Sequence, residues 1–438
     1  MIFIYIVLLQ KKLLYNSKSV ISEYLLLTIE WIPDCKIDFE VKNLDSTRIR
    51  PVAQLIATAG IFATLLVMGM QFTVHHFTSK ESIIFPTIIL SIVLIYHLLI
   101  DRKLITNKNN LLVSGSLILF AVYYVLNINR DAPLKLEYIT YFLTIVLLFT
   151  AIVFFKNRIV DKRMWIIFVF IYANVFFLPT LLSINKLIAA NSNGIIAFLL
   201  LFFCLINLKE KNIILRSLNI YTTILLLITL NTATSRAAVI AFFIVALIFF
   251  ATRYFQKFTF YIVASIILIS PVITAFAMYI KHTSLSQIIT YRSEIFTLEN
   301  VFNGRDWIWK DAADVVINNG MIWTGLGNNV EFELLGGYLH NLYVQVFFHS
   351  GVIGLLLAGI LLITLALAIG NAKVIDFDFR ILLGYFVAIL FLQVFEGHLI
   401  YKFEIISLLM WIIIAFLIRK SSQEVSVPNK DDYTQQNV

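Results

Sequence analysis

Residues 342–369, LYVQVFFHSGVIGLLLAGILLITLALAI, form one apolar run without a single Asp, Glu, Lys or Arg. About 20 apolar residues in a helix are enough to cross the hydrocarbon core of a membrane, which is about 30 Å thick. Similar runs recur along the 438 residues, of which 60% are hydrophobic and 14% charged, with a mean hydropathy of +0.89. Since roughly a quarter of the residues of a soluble protein are charged, this composition predicts an all-α membrane protein.

We predict about twelve transmembrane helices, because lipid offers no water to satisfy backbone groups and the alternation typical of a barrel is not seen. Nine of them fill residues 51–279, and three fill residues 342–418 after one long connection, 280–341. The predicted spans are 51–74, 82–100, 111–128, 138–155, 164–182, 187–206, 213–231, 236–252, 259–279, 342–369, 380–396 and 399–418.

The loops between the spans predict the orientation of the chain. Lys and Arg are richer in one alternating set of loops, which marks that set as cytoplasmic. Both ends of the chain are then cytoplasmic, and the connection 280–341 is extracytoplasmic. The net charge of +8 belongs to these loops, so it does not indicate a nucleic-acid partner. Cys35 and Cys204 provide no disulfide framework.

The two ends of the chain are predicted to lie outside the helical bundle. Residues 1–50 form a cytoplasmic segment whose opening MIFIYIVLLQ is too short to span and lacks preceding lysines, unlike a signal peptide. We hypothesise that Val41 is the native start, which would make residues 1–40 partly non-native. The polar tail 419–438 is predicted to be disordered.

Three stretches on the predicted outer face carry the candidate chemistry, and the first is NTATSRAAVIAFF, residues 231–243. Thr234 or Ser235 is a helix cap, and Arg236 occupies the first turn. A helix N-terminus beside a guanidinium group attracts anions, which indicates an anion site. The alternative is an interfacial arginine that reaches lipid headgroups.

The second stretch, FNGRDWIWKDAADVVINNGMIWTGLGNN at residues 302–329, lies in the long outer connection. Its apolar residues recur at helical spacing, so we predict an amphipathic helix over 305–318 near the bilayer surface. Arg305 in the first turn opposes the helix dipole unless an anion compensates its charge, which favours a functional role. The alternative is an amphipathic lid with a solvated arginine.

The third stretch, GGYLHNLYVQVFFHSGVIGL at residues 336–355, places His340 at the start of the tenth span. The positive end of a helix disfavours a protonated imidazole, so we predict a neutral His340 that accepts a proton. Asn341 would orient it or bind substrate. The alternative is an interfacial histidine without a role. Gly351, Gly354 and Ala358 predict a small face for close helix packing.

Together, TSRAA, NGRDWIW…GLGNN and LHNLYVQVFFHSGVIGL resemble the O-antigen ligase and Wzy-type polysaccharide polymerase family. The NSNG at 191–194 is similar to an asparagine-bearing segment of that family. The resemblance covers about residues 185–365, and the motifs are specific through their order, spacing and common side of the membrane. His349 departs from the family pattern, in which a smaller or acidic residue is expected.

The resemblance implies a glycosyltransferase whose donor is an oligosaccharide on a polyprenyl diphosphate at the outer face. Arg236 and Arg305 would grip the diphosphate through bidentate forks, with Arg292 as a weaker third. His340 would be the base for the acceptor hydroxyl. No cofactor and no metal are expected, since guanidinium pairs replace a divalent ion. The remaining candidate substrate-binding residues are Asn341, Asn193 and Ser235.

Several alternatives stay open from the sequence. The motifs do not separate a polymerase of repeat units from a ligase that moves a finished glycan. The Ile-, Asn- and Lys-rich composition favours a capsule or exopolysaccharide polymerase, which would work with a flippase and a chain-length regulator. A lipid-linked oligosaccharide flippase and a scaffold are further readings. Asp376-Phe377-Asp378 is predicted to be a solvated cytoplasmic loop, and the charged residues Glu396, His398, Lys402 and Glu404 either line the acceptor site or pair structurally.

Overall fold

A computed structural model describes the chain over most of its predicted helices. In this part of the chain every regular element is helical and no strand occurs. The described residues are 46–70, 91, 108–128, 136–154, 161–182, 190–233, 235–254, 259–280, 305–330, 339–372, 375–400 and 405–422.

The helices agree with the predicted apolar runs to within a few residues at most ends. The predicted span 82–100 lies outside the described residues apart from Ser91. In chain order the helices are α1 (Ser46–Met70), α2 (Lys108–Leu126), α3 (Leu136–Phe154), α4 (Lys162–Leu181), α5 (Ala190–Leu205), α6 (Ile213–Thr232), α7 (Arg236–Tyr254), α8 (Thr259–Ile280), α9 (Arg305–Asn318), α10 (Leu342–Gly370), α11 (Phe377–Phe395) and α12 (Ile405–Ser421).

Five of these helices, α2, α4, α6, α10 and α11, are long and apolar enough to cross a membrane. Helix α4 contains a π-helical turn at Ala173–Phe177, just before Pro179. The all-helical class is therefore confirmed for the described residues, while the count of twelve spans stays a prediction.

The core of the bundle surrounds α11 and α12, whose side chains are almost all buried. Helix α11 packs mainly against α7, and α12 packs against α3, α5 and α11. Helices α2 and α8 flank α10, while the outer surfaces of α6, α7 and α8 expose large apolar side chains. Buried helices in the centre with apolar residues also on the outside are typical of a bundle surrounded by lipid.

Helix α10 is not one straight helix, because it breaks at Gly351 (φ 60°, ψ −157°). The loop 321–330 reaches this break, where the carbonyls of Ile322 and Trp323 accept hydrogen bonds from the backbone N–H groups of Val352 and Ile353. A Cβ atom on Gly351 would lie 2.5 Å from the carbonyl carbon of Trp323. The predicted role of Gly351 in a small helix-packing face is therefore wrong, because Gly351 is the residue at which the helix kinks.

The predicted span 399–418 starts with two residues, 399–400, that are not helical, and the described helix α12 is Ile405–Ser421. Leu399 is buried in a bend, where its N–H donates to Gln393 Oε1 at 2.9 Å and its carbonyl accepts from Trp411 Nε1 at 2.8 Å. Side chains thus bond the backbone N–H and carbonyl groups of an apolar residue outside a helix. Hydropathy alone does not distinguish such a residue from a helical one.

Candidate functional site

Glu396 directly follows the last residue of α11, and its side chain is only 3% exposed. Its Oε1 accepts hydrogen bonds from Arg305 Nη2 at 2.7 Å and from Asn191 Nδ2 at 2.6 Å. Its Oε2 lies 3.0 Å from His340 Nδ1 and 3.8 Å from His398 Nε2. We call these five residues the Glu396 cluster. Its one carboxylate joins the end of α11 to α5, to α9 and to His340, two residues before α10.

The charges around Glu396 favour its ionised form. Burial by itself raises the pKa of the Glu396 carboxyl, but the hydrogen bond to His340 and the positive charges of Arg305 and His398 outweigh it. The net result is a pKa of about 2, well below the ordinary 4.5. Glu396 is therefore a permanent anion at any physiological pH, held among cationic and polar donors.

Arg305 is the first residue of α9 and connects that helix to the end of α11. Besides the bond to Glu396, its Nη1 donates to the carbonyl of Phe395 at 2.5 Å. That carbonyl belongs to the last turn of a helix, where partial negative charge accumulates. The anion that offsets an arginine at the start of α9 is thus the protein's own carboxylate. The side chain remains 21% exposed, and these two hydrogen bonds use two of the five N–H donors of its guanidinium group.

His340 stands immediately before the residue that caps α10 and is held against Glu396. Its backbone has φ 47°, in the left-handed region that residues other than glycine rarely occupy. The side chain is 29% exposed. Because an ionised carboxylate only accepts hydrogen bonds, its contact with Nδ1 assigns the proton to that nitrogen. In the neutral ring, the lone pair is then on Nε2.

Asn341, the residue after His340, caps α10 and is fully buried. Its Oδ1 accepts from the N–H groups of Tyr343 and Val344, at 2.9 Å and 3.1 Å. Its Nδ2 donates to Thr274 Oγ1 at 3.0 Å and to the Val394 carbonyl at 2.8 Å. The predicted orienting role fits these contacts, whereas contact with substrate would require one of them to break.

Ser235 links the start of α7 to the Glu396 cluster. Its Oγ donates to Asn191 Oδ1 at 2.6 Å and accepts from the Ala238 N–H at 3.4 Å, so Ser235 caps α7 as predicted. A Cβ atom on Gly194 would lie 2.6 Å from Ser235 Cβ, which shows how closely α5 and α7 approach here. The next residue, Arg236, has an exposed side chain at the first position of α7.

Of the predicted site residues, Arg305 and His340 contact Glu396 directly, and Ser235 is connected to it through Asn191. Arg236 follows Ser235 at the start of α7. Asn193 is buried on α5, but the hydrogen bond to Glu396 comes from Asn191, two residues earlier. Arg292 lies outside the described residues, as do Lys402 and Glu404.

Sequence reasoning placed Glu396 only among several outer charges and omitted Asn191. The available signals were the first asparagine of NSNG and an acidic residue at the end of a span that has no other acidic residue after Asp378. Neither signal identifies a partner.

The acidic pair Asp376 and Asp378 lies at the other end of α11. Asp376 Oδ2 is 2.8 Å from Lys420 Nζ, and Asp378 Oδ2 is 2.6 Å from Lys162 Nζ. Asp376 also caps α11 by accepting from the Phe379 N–H at 2.9 Å. Both carboxylates therefore have lysine partners from neighbouring helices. We call this the opposite end of the bundle, and the end that holds Glu396 the site end.

Comparison with known protein families finds a match for the central part of the chain. Residues 221–359 match the family model Wzy_C, described as O-antigen ligase. No curated protein matches the chain. The matched region contains Arg236, Arg305 and His340, whereas Asn191 and Glu396 lie outside it. The chain is therefore a multi-pass membrane protein whose residues 221–359 are similar to the O-antigen ligase family, and the resemblance of its sequence motifs is confirmed there.

Proposed function

We propose that the protein is a glycosyltransferase that moves an oligosaccharide from a polyprenyl diphosphate to a hydroxyl group of another glycan. The observation that carries this proposal is the Glu396 carboxylate, which contacts both His340 and Arg305 at the end of the bundle where Arg236 begins α7. This end holds a proton acceptor and guanidinium groups, which are the two requirements for displacing a diphosphate.

The proposed base is His340. The Nδ1–H group of His340 donates a hydrogen bond to Glu396. Its Nε2 then accepts the proton of the acceptor hydroxyl while the hydroxyl oxygen attacks the anomeric carbon. The new bond is carbon–oxygen, and the bond from the same carbon to the diphosphate breaks with its electron pair. The carboxylate orients the ring and stabilises the imidazolium that forms, as in other base–carboxylate pairs.

The leaving diphosphate requires positive charge at the membrane surface. Arg236 is exposed at a helix N-terminus, where backbone N–H groups and a bidentate fork both favour phosphate oxygens. Arg305 uses one N–H of each terminal nitrogen inside the protein and contributes its remaining donors. By the family resemblance, we propose Arg292 as a weaker third phosphate ligand.

We propose further that the reaction polymerises repeat units for a capsule, exopolysaccharide or O-antigen on the outer face of a bacterial cell membrane. The charge distribution of the loops supports this orientation, and the composition favours the polymerase over the ligase. A flippase would deliver the lipid-linked units, and a chain-length regulator would act on the product.

The test uses purified full-length protein in liposomes with polyprenyl-diphosphate-linked repeat units. We expect a ladder of products that differ by one repeat unit. A single transfer to a separately added acceptor, without a ladder, would identify a ligase. Absence of both products, with folded protein present, would contradict the transferase.

Two variants test the assigned roles in the same assay. His340→Ala is expected to lower turnover about 10²- to 10⁴-fold, the usual contribution of a general base. Arg236→Lys keeps the charge but not the fork, and we expect a loss of about tenfold or more. The matched control is Arg163→Lys at the opposite end, where the arginine is 58% exposed and activity should be unchanged. Near-normal activity of Arg236→Lys would exclude bidentate phosphate binding.

A further inference from the structure

Trp309 connects the helix α9 to the residue that precedes His340. Its Nε1 donates a hydrogen bond of 2.6 Å to the carbonyl of Leu339, and its side chain is fully buried. Trp309 lies four residues after Arg305, so both side chains project from the same side of α9. One helix therefore contacts the Glu396 cluster through Arg305 and the backbone beside His340 through Trp309.

The backbone of His340 needs such support. A left-handed φ of 47° is unfavourable for a residue with a Cβ, and it persists only where the surroundings hold it. On the following side, Asn341 is fixed by its four hydrogen bonds. On the preceding side, the hydrogen bond that holds Leu339 comes from Trp309.

Helix α9 is also anchored as a unit. It packs on α8 and on the first part of α10 through a hydrophobic cluster that is separate from the main core of the bundle. This cluster fixes the depth and rotation of α9, and with them the position of the indole. Its buried members are Trp309, Ala312, Val316, Leu339, Val344 and Phe348.

We propose that Trp309 is a positioning residue for His340, a proposal that rests on the function inferred above. By binding the Leu339 carbonyl, the indole N–H holds His340 in the left-handed conformation that directs its ring to Glu396. Without this bond the chain before His340 relaxes to an ordinary backbone conformation, and the ring leaves the carboxylate. Trp309 itself touches neither donor nor acceptor.

The first test is Trp309→Phe in the proteoliposome assay, which removes the N–H donor and keeps an aromatic ring. Because small displacements of a catalytic group are costly, we expect kcat to fall about ten- to a hundredfold. KM for the lipid-linked donor should stay unchanged, since donor binding does not involve the indole. The matched control is Trp307→Phe, two residues away and 56% exposed, which should retain the kcat of the parent protein.

A double-mutant cycle separates positioning from general stability. In a His340→Ala background, Trp309→Phe should have no further effect on kcat, because it acts through His340. Equal fold-losses in both backgrounds would overturn the proposal. If His340→Ala alone left turnover unchanged, the proposed function itself would fail, which is a distinguishable outcome.

Should Trp309→Phe fold poorly, the indole can be replaced at position 309 by benzothienylalanine. This analogue keeps the bicyclic shape and exchanges the N–H for sulfur, so it removes the donor with little change in packing. The expected loss of kcat is the same, and full activity of this protein would overturn the proposal.

Discussion

The site end and the opposite end of the bundle both carry ion pairs, but they differ in burial. At the opposite end, Asp376 and Asp378 have side chains that are 41% and 28% exposed, and each carboxylate contacts one lysine. At the site end, Glu396 is 3% exposed and accepts hydrogen bonds from arginine, histidine and asparagine. The same chemical group is thus a solvated surface partner in one place and a buried centre in the other.

This difference shows why an ion pair alone says little about function. Exposed pairs are screened by water and salt, so each contributes about 1 kcal/mol or less. A buried carboxylate loses its hydrating water, so several hydrogen-bond donors must replace that water. If one donor is missing, the buried charge becomes unfavourable. Such an arrangement orients its donors as well as stabilising its charge.

The largest effect is expected from Glu396→Ala, which removes the buried carboxylate of the site end. The change leaves Arg305, His340 and His398 beside one another without their shared anion. We expect a loss of about 3 kcal/mol in stability and a fall in turnover of about a hundredfold or more. Thermal unfolding in nanodiscs and the transfer assay measure the two effects. Parent-like stability would show that water or another anion replaces the carboxylate.

The stability of the site end is expected to depend on pH through the pKa of Glu396. A carboxyl whose pKa drops from 4.5 in the unfolded chain to about 2 in the folded protein contributes about 3 kcal/mol, fully present above about pH 4.5. This contribution is lost as the pH falls towards 2, where the folded carboxyl binds its proton. Unfolding temperatures between about pH 7 and about pH 3 measure the effect. Glu396→Gln should flatten this part of the profile, and an unaltered slope would contradict the assignment.

The smallest effect is expected at the opposite end, from Asp378→Asn. The substitution removes the partner of Lys162, but both side chains have water available. We expect a change in stability below about 1 kcal/mol and normal glycan transfer. A large loss of activity would show that the opposite end contributes to the reaction, and the contrast between the two ends would no longer hold.

Local features of the site were predictable from the sequence. The amphipathic pattern and the turn before it gave a helix over 305–318, which the structure confirms as Arg305–Asn318. The cap at Ser235 followed from a hydroxyl residue beside an apolar run. These features depend on residues within a few positions of one another, so their physical cause is contained in the local sequence.

Other features were not predictable, because their partners are distant in the chain. The pattern of residues 342–369 predicts one helix, but the loop 321–330 supplies the hydrogen bonds that permit the kink at Gly351. Glu396 and His340 are separated by 56 positions, and Asn191 lies 205 positions from Glu396. No periodicity or composition relates residues at such separations.

The sequence alone predicted an all-helical membrane protein, the motifs that match the O-antigen ligase family model at residues 221–359, and the arginines and histidine to which the proposed chemistry is assigned. It did so because hydropathy, helix caps and motif spacing are properties of neighbouring residues. Only the packed fold shows that Glu396 is the centre of its hydrogen-bonded cluster and that Trp309 donates to the carbonyl of the residue before His340. Both depend on helices packing until one carboxylate and one indole meet donors and acceptors from other parts of the chain, where burial makes each contact necessary.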